Sequence, residues 1–347
     1  MKLKKWLHAT VIAGVLVIPL TLSGCGFLTK STPEQIDPPQ DEETIEQETS
    51  LMEQVEGSHS YIVYLQDRNG YLAPISLPVV IGEQEEVGQK LLELMVDHGL
   101  YAALMPEDFR ALIPQGTEIL GYEFNEETQI ATVNFSEPFI NYNAADERAI
   151  IESIVYTLTS LDGVKGVSIE VNGDPLYEMP VAGYPLASIL DRSIGINIEL
   201  AEGVNHSHST PVTVYFSAET IDAEQYFVPI TRMIDRKDTK VVAALEELIA
   251  GPQNKKDLSP VIMSDVTVMG YEIYDDIAHL DLQDESYEPG EFAPSEMLQA
   301  VILSVIDNSG VQAVQIRMNG DINIFDEKNQ SYSEPVSMPE KVNALKL

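Results

Sequence analysis

Cysteine is almost absent from this chain of 347 residues, with Cys25 standing alone. No disulfide can close within it, and no cysteine-based metal site can form. Basic residues are scarce as well: 20 lysines and arginines face 56 aspartates and glutamates, for a formal charge of −36. Setting aside the first 24 residues, which hold Lys2, Lys4 and Lys5 and no acid, deepens the charge to −39. Such a surface excludes nucleic-acid binding through phosphates. It would also be repelled by anionic membranes, so membrane attachment needs a hydrophobic or covalent anchor. The acidity reads first as a solubilising surface; a basic partner, or salty or alkaline surroundings, are the alternatives. Catalytic signatures are missing too: there is no Gly-Xaa-Ser-Xaa-Gly elbow, phosphate-binding loop or dinucleotide fingerprint. Carboxylate pairs such as Asp275-Asp276 arise by chance among 56 acids and carry no glycosidase argument. The apolar run Val11–Leu20, interrupted by Gly14 and Pro19, is short for a membrane span.

What the chain does have is an internal repeat. Residues Ala149–Leu176 and Glu296–Asn323 align without a gap at an offset of 147. Ile151, Ile154, Val155 and Leu158 recur at helical spacing, and so do Leu298, Val301, Ile302 and Val305. A turn follows at Gly163-Val164 and at Gly310-Val311. The period then drops to two, through Val167, Ile169 and Val171 and through Val314, Ile316 and Met318. Each strand ends on Asn-Gly-Asp, at 172–174 and 319–321, which predicts hairpin geometry rather than a catalytic motif. Upstream, Tyr71-Leu72-Ala73-Pro74-Ile75-Ser76 answers Tyr226-Phe227-Val228-Pro229-Ile230-Thr231. A proline cannot donate to a strand ladder, so this strand belongs at an edge or a bulge. Helices through Val87, Leu91 and Leu94 and through Val241, Leu245 and Leu248 come next; the second stops at Ala250-Gly251-Pro252. Strand pairs at 118–124 with 131–135 and at 267–273 with 278–282 complete each unit.

The fold expected is α+β: two tandem ββαββαβ repeats, each a mixed sheet with helices on one face. The first repeat spans 58–177 and the second 211–325. A connector at 178–210 carries alternating Ile194, Ile196 and Ile198, and a polar, poorly ordered tail is expected at 326–347. Residues 25–57, rich in acid and proline, read as a flexible tether.

The amino terminus resembles a bacterial lipoprotein signal. A positive region holds Lys2, Lys4 and Lys5, the short apolar run follows, and Leu22-Ser23-Gly24-Cys25 matches the lipobox. The resemblance implies a signal peptide at 1–24, cleavage between Gly24 and Cys25, and a lipid on Cys25. Several acyl chains would then anchor the mature chain durably.

The paired Tyr-Xaa-Xaa-Pro-Ile strands, the helix ending in Ala-Gly-Pro, the Gly-Tyr-Glu at 121–123 and 270–272, and the helix-turn-strand closing on Asn-Gly-Asp are together similar to the GerMN repeat of sporulation and spore germination lipoproteins. That resemblance implies a non-enzymatic envelope protein without cofactors. It would lie on the extracytoplasmic face of the membrane, between mother cell and forespore, beside a transenvelope channel complex whose proteins are its partners. It also implies similarity to the ring-building modules of secretion systems, and hence self-association as a further option; a −39 surface works against that unless cations or a basic partner screen it. In place of Ala-Gly-Pro the first repeat has Val96-Asp97-His98-Gly99, followed by an insertion around 101–105.

An envelope ligand-binding lipoprotein or a wall-active hydrolase is the alternative, and it predicts a pocket with convergent polar groups near the connector. Among six histidines, His206 and His208 are the nearest thing to a metal pair, yet they lack further ligands at a telling spacing and read as solvated loop. His8 falls in the signal peptide, and His59, His98 and His279 stand singly.

Overall fold

The computed structural model describes residues 58–346, apart from 83–84, 205–207, 238, 264 and 289. The signal segment, the tether, Gly24, Cys25 and His206 lie outside the described residues. In the first repeat, β1 (Ser58–Asp67) and β2 (Leu72–Val80) form an antiparallel hairpin, joined at its end by β3 (Phe109–Arg110). Asp67 shapes the hairpin turn, its Oδ1 accepting from the amides of Asn69 and Tyr71 at 2.8 Å. α1 (Val87–Leu94) follows, then the antiparallel pair β4 (Ile119–Asn125) and β5 (Ile130–Phe135). α2 (Glu147–Leu158) crosses over to β6 (Gly166–Val171), which runs parallel to β5, and β7 (Asp174–Pro175) closes the sheet.

The second repeat uses the same plan. The short β8 (Glu199–Leu200) precedes the hairpin of β9 (Ser209–Glu219) and β10 (Gln225–Asp235). α3 (Lys240–Ala250), β11 (Val266–Tyr274) and β12 (Ile277–Asp284) come next. β13 (Phe292–Ala293), α4 (Ser295–Ser309) and β14 (Ala313–Met318) complete it; β14 runs parallel to β12, as β6 does to β5. The expected ββαββαβ order therefore stands. Each repeat has a hairpin sheet and a mixed sheet, and the second adds a two-stranded sheet through β13.

Amphipathic patterning explains the layering. In β5 every second residue, Ala131, Val133 and Phe135, is fully buried beneath the helices, while Ile130, Thr132 and Asn134 keep some exposure. Ile150, Ile151, Ile154, Val155 and Leu158 of α2 are fully buried, and so are Leu298, Val301 and Val305 of α4. Both Asn-Gly turns adopt positive φ at both positions, 51° and 84° at Asn172-Gly173 and 52° and 82° at Asn319-Gly320. This is the two-residue geometry that matches strand twist, and it accounts for the tripeptide by shape alone.

The carboxyl-terminal segment departs from expectation. It is polar in sequence, yet it packs: β15 (Phe325–Asp326) pairs with β13, β16 (Val336–Ser337) pairs with β14, and Asp326, Tyr332 and Val342 are buried. The side chain of Asp326 holds its own turn by accepting from the amides of Lys328 and Gln330. Side chain-to-backbone bonds of this kind order a segment that has little apolar content.

Candidate functional site

The two repeats meet along β2 and β10, the proline-bearing strands. Because Pro74 and Pro229 have no N–H, these strands cannot complete a ladder against each other. Two asparagine side chains do the pairing instead. Asn197, in the connector, accepts from the Leu72 amide at 2.9 Å and donates to the carbonyls of Leu72 and Pro229, both at 2.8 Å. Asn343, near the carboxyl terminus, accepts from the Phe227 amide at 2.7 Å and donates to the carbonyls of Phe227 and Pro74, both at 2.8 Å. Phe227 and Pro229 are the second-repeat counterparts of Leu72 and Pro74, so the two asparagines are related by an approximate two-fold. Both take positive φ, 48° and 53°, which asparagine tolerates better than most residues.

The residue before each asparagine repeats the relation. Thr231 donates its amide to the Ile196 carbonyl at 2.8 Å, and its Oγ1 accepts from the Ile196 amide at 2.9 Å. Ser76, the counterpart of Thr231, donates to the Val342 carbonyl at 3.1 Å, and its Oγ accepts from the Val342 amide at 2.8 Å. Each repeat thus sends the arm that follows it onto the second strand of the other repeat. Ile196 and Val342, fully buried and 5% exposed, plug the two ends.

Behind the hairpins a partly buried polar cluster joins connector, α2 and α4. Arg192 donates to Asp307 Oδ1 at 3.2 Å, to Thr159 Oγ1 at 3.0 Å and to Ser160 Oγ at 2.9 Å, with its guanidinium 4.9 Å from the Tyr156 ring. Tyr215 donates to Asp307 Oδ2 at 2.6 Å, and Tyr156 donates to the Arg192 carbonyl. Burial opposes the charge of Arg192, but Tyr64, Asp307, Tyr215 and Tyr156 together hold it above the ordinary arginine value. Burial raises the Tyr64 and Tyr156 hydroxyls, so both stay neutral at physiological pH. One more bond crosses the seam nearby: Tyr226 donates to Asp67 Oδ2 at 2.8 Å. Burial foremost raises the Asp67 carboxyl, against the pull of that bond.

This cluster occupies the space beside the connector where a ligand-binding reading places a pocket. His208 is exposed, and no group of three metal-ligating side chains occurs among the described residues. His279 stacks on Tyr274 at 3.8 Å, and His98 lies exposed in a turn. Asp275 and Asp276 form a positive-φ turn between β11 and β12. Asn197, Asn343 and Arg192 carried no catalytic or periodic signal. The pairs Ile196-Asn197 and Val342-Asn343, 146 residues apart, are the trace they leave in sequence.

The family profile described as sporulation and spore germination (Germane) matches twice, over residues 62–177 and 213–323. The chain is 33% identical to a protein described as spore germination protein GerM from Bacillus subtilis, across 96% of this chain and 97% of that one. It is also similar to the solved structure of the tandem GerMN domains of the sporulation protein GerM from Bacillus subtilis. That match has a TM-score of 0.75 and 33% identity, covering 83% of this chain and 99% of the other.

Proposed function

The chain belongs to the sporulation and spore germination family, and from that membership we propose that it is a lipid-anchored, non-enzymatic envelope protein. It supports sporulation and germination by docking onto the transenvelope channel complex between mother cell and forespore. The observation that carries this reading is the seam. Its buried tyrosines and its half-buried arginine, aspartate and asparagines are engaged in fixing one repeat against the other, which suits a module that presents a rigid surface. Lipid on Cys25 would hold that surface at the membrane, and the acidic residues 25–57 would set its reach.

Two experiments test the reading. Mass spectrometry of the mature amino terminus should find a diacylated Cys25, and Cys25→Ser should move the protein into the soluble fraction. Crosslinking in sporulating cells should recover the chain with channel proteins. Recovery as a free monomer at every stage would contradict the docking role.

A further inference from the structure

The heads of the two crossover helices differ in one way that points to a ligand. In the first repeat, Arg148 at the start of α2 lays its side chain along the protein. It bonds Glu152, donates to the Ile194 carbonyl at 2.8 Å, and lies 5.5 Å from the Tyr184 ring. At the offset of 147, Arg148 becomes Ser295, Glu152 becomes Gln299 and Ala149 becomes Glu296. The second repeat has therefore lost the Arg148–Glu152 ion pair and carries its carboxylate one residue after the serine, at Glu296. Ser295, Glu296 and Gln299 line an open groove of about 730 Å³ there. Ser295 is only 5% exposed, and its hydroxyl has no partner among the described residues. Glu296 is half-buried and makes no hydrogen bond or close ion pair among the described residues; burial raises its carboxyl, while Lys328, the one cation in the groove's lining, pulls it down and faces the acids Glu224, Glu296 and Glu327 there. Phe227, Leu345 and Met263, the last 75% exposed, add apolar surface to its lining.

We propose that this groove receives an arginine side chain, flanked by an apolar residue, from an extended segment of a basic partner protein. The proposal rests on the docking reading above and names the chemistry of the contact. A guanidinium would bring back the charge that Arg148 supplies in the first repeat, and it suits the Glu296 carboxylate and the Gln299 amide oxygen in the lining. The apolar neighbour would cover Met263 and Leu345. A chain with 56 acids and 20 basic residues favours such a partner electrostatically.

The test uses the detergent-solubilised full-length chain and a fluorescein-labelled peptide with one arginine between leucines, compared with the same peptide carrying citrulline. Arginine should bind about tenfold more tightly than citrulline. Ser295→Arg with Gln299→Glu, which rebuilds the first-repeat pair in the groove, should weaken binding about tenfold without lowering the melting temperature. Glu296→Gln should weaken it severalfold, and Glu126→Gln, on a distant turn, should leave it unchanged. Equal binding of arginine and citrulline peptides overturns the proposal, as does undiminished binding by Glu296→Gln. The same double variant is then crosslinked in sporulating cells. A partner lost with it supports the proposal. A partner retained in full overturns the proposal while leaving the docking reading intact, whereas a parent chain that crosslinks to nothing counts against the docking reading itself.

Discussion

The two repeats share their inner faces and differ at their outer corners. At the seam, Pro74 and Pro229, Ser76 and Thr231, and Asn197 and Asn343 play paired roles with near-identical bonds. At the corner after the first helix of each repeat the match fails. In the second repeat, Arg232 is buried over Phe216 and donates to the carbonyls of Glu247 and Gly251, closing the Ala-Gly-Pro end of α3. Its position in the first repeat is Leu77, which can donate nothing. There the chain closes the corner with backbone instead: Asp97 donates to the Ile113 carbonyl at 2.7 Å, and Ile113 donates to that of Met95 at 2.9 Å. Leu100, on the insertion beyond it, is 94% exposed. The symmetric parts are those that join the halves, and the divergent parts are the corners away from the seam.

Breaking the seam should have the largest effect. Ending the chain after Met338 removes Val342 and Asn343 and leaves Pro74, Ser76 and Phe227 groups unpaired. We expect a loss of about 4–6 kcal/mol in urea denaturation. Arg192→Ala leaves Asp307, whose side chain is 9% exposed, with Tyr215 as its remaining close donor. The expected cost is about 2–4 kcal/mol, since one member of a largely buried ion pair is lost. Arg232→Leu, which imposes the first repeat's residue on the second, should cost about 2–3 kcal/mol by stranding the α3 carbonyls and Glu199. The sharpest symmetry test is the pair Asn197→Ala and Asn343→Ala. Each should cost about 1–3 kcal/mol, and the two should agree within about 1 kcal/mol; a cost confined to one would break the two-fold account.

The smallest effect concerns Glu147, at the head of α2. It accepts from the amides of Ala182 and Tyr184 and from the Tyr142 hydroxyl. Burial opposes its charge, but the two amides and that hydroxyl more than offset it, holding its carboxyl below the ordinary glutamate value of 4.5. Because the folded value is depressed, ionised Glu147 favours the fold above pH 4.5, and that contribution disappears as pH falls through the folded value. The melting-temperature gap between the parent and Glu147→Gln should therefore be widest near neutral pH and should shrink in acid. Asp67 and Glu152, whose carboxyls burial raises, contribute with the opposite sign. The subtraction against Glu147→Gln isolates the term of interest.

Much of the repeat unit was legible in the sequence because it rests on periodicity. The helix faces through Ile154 and Val301, the Asn-Gly turns and the edge position of proline-bearing β2 follow from spacing and from backbone rules for single residues, whereas β10, which carries Pro229, lies between β8 and β9. The arms were not legible, because their order comes from distant backbone groups. Nothing local in Lys341-Val342-Asn343 says that Ser76 and Pro74 wait for it, so a polar segment reads as loose. Ile196 looked like one member of an alternating run, whereas its neighbours Gly195 and Asn197 take φ of 75° and 48° and end any regular strand there. Arg192 likewise gains its meaning only when α2 and α4 are brought together. The groove at Ser295 was hidden for a different reason: it shows as a loss against Arg148, visible once each helix head is set beside its counterpart.

The exchanged arms should make the two repeats a single cooperative body. Scanning calorimetry of residues 58–347 at neutral pH tests it most directly. The account predicts one transition, with calorimetric and van't Hoff enthalpies in agreement, that splits in two when Asn197→Ala and Asn343→Ala are combined. Two separate transitions in the unaltered chain, one for each repeat, would contradict it.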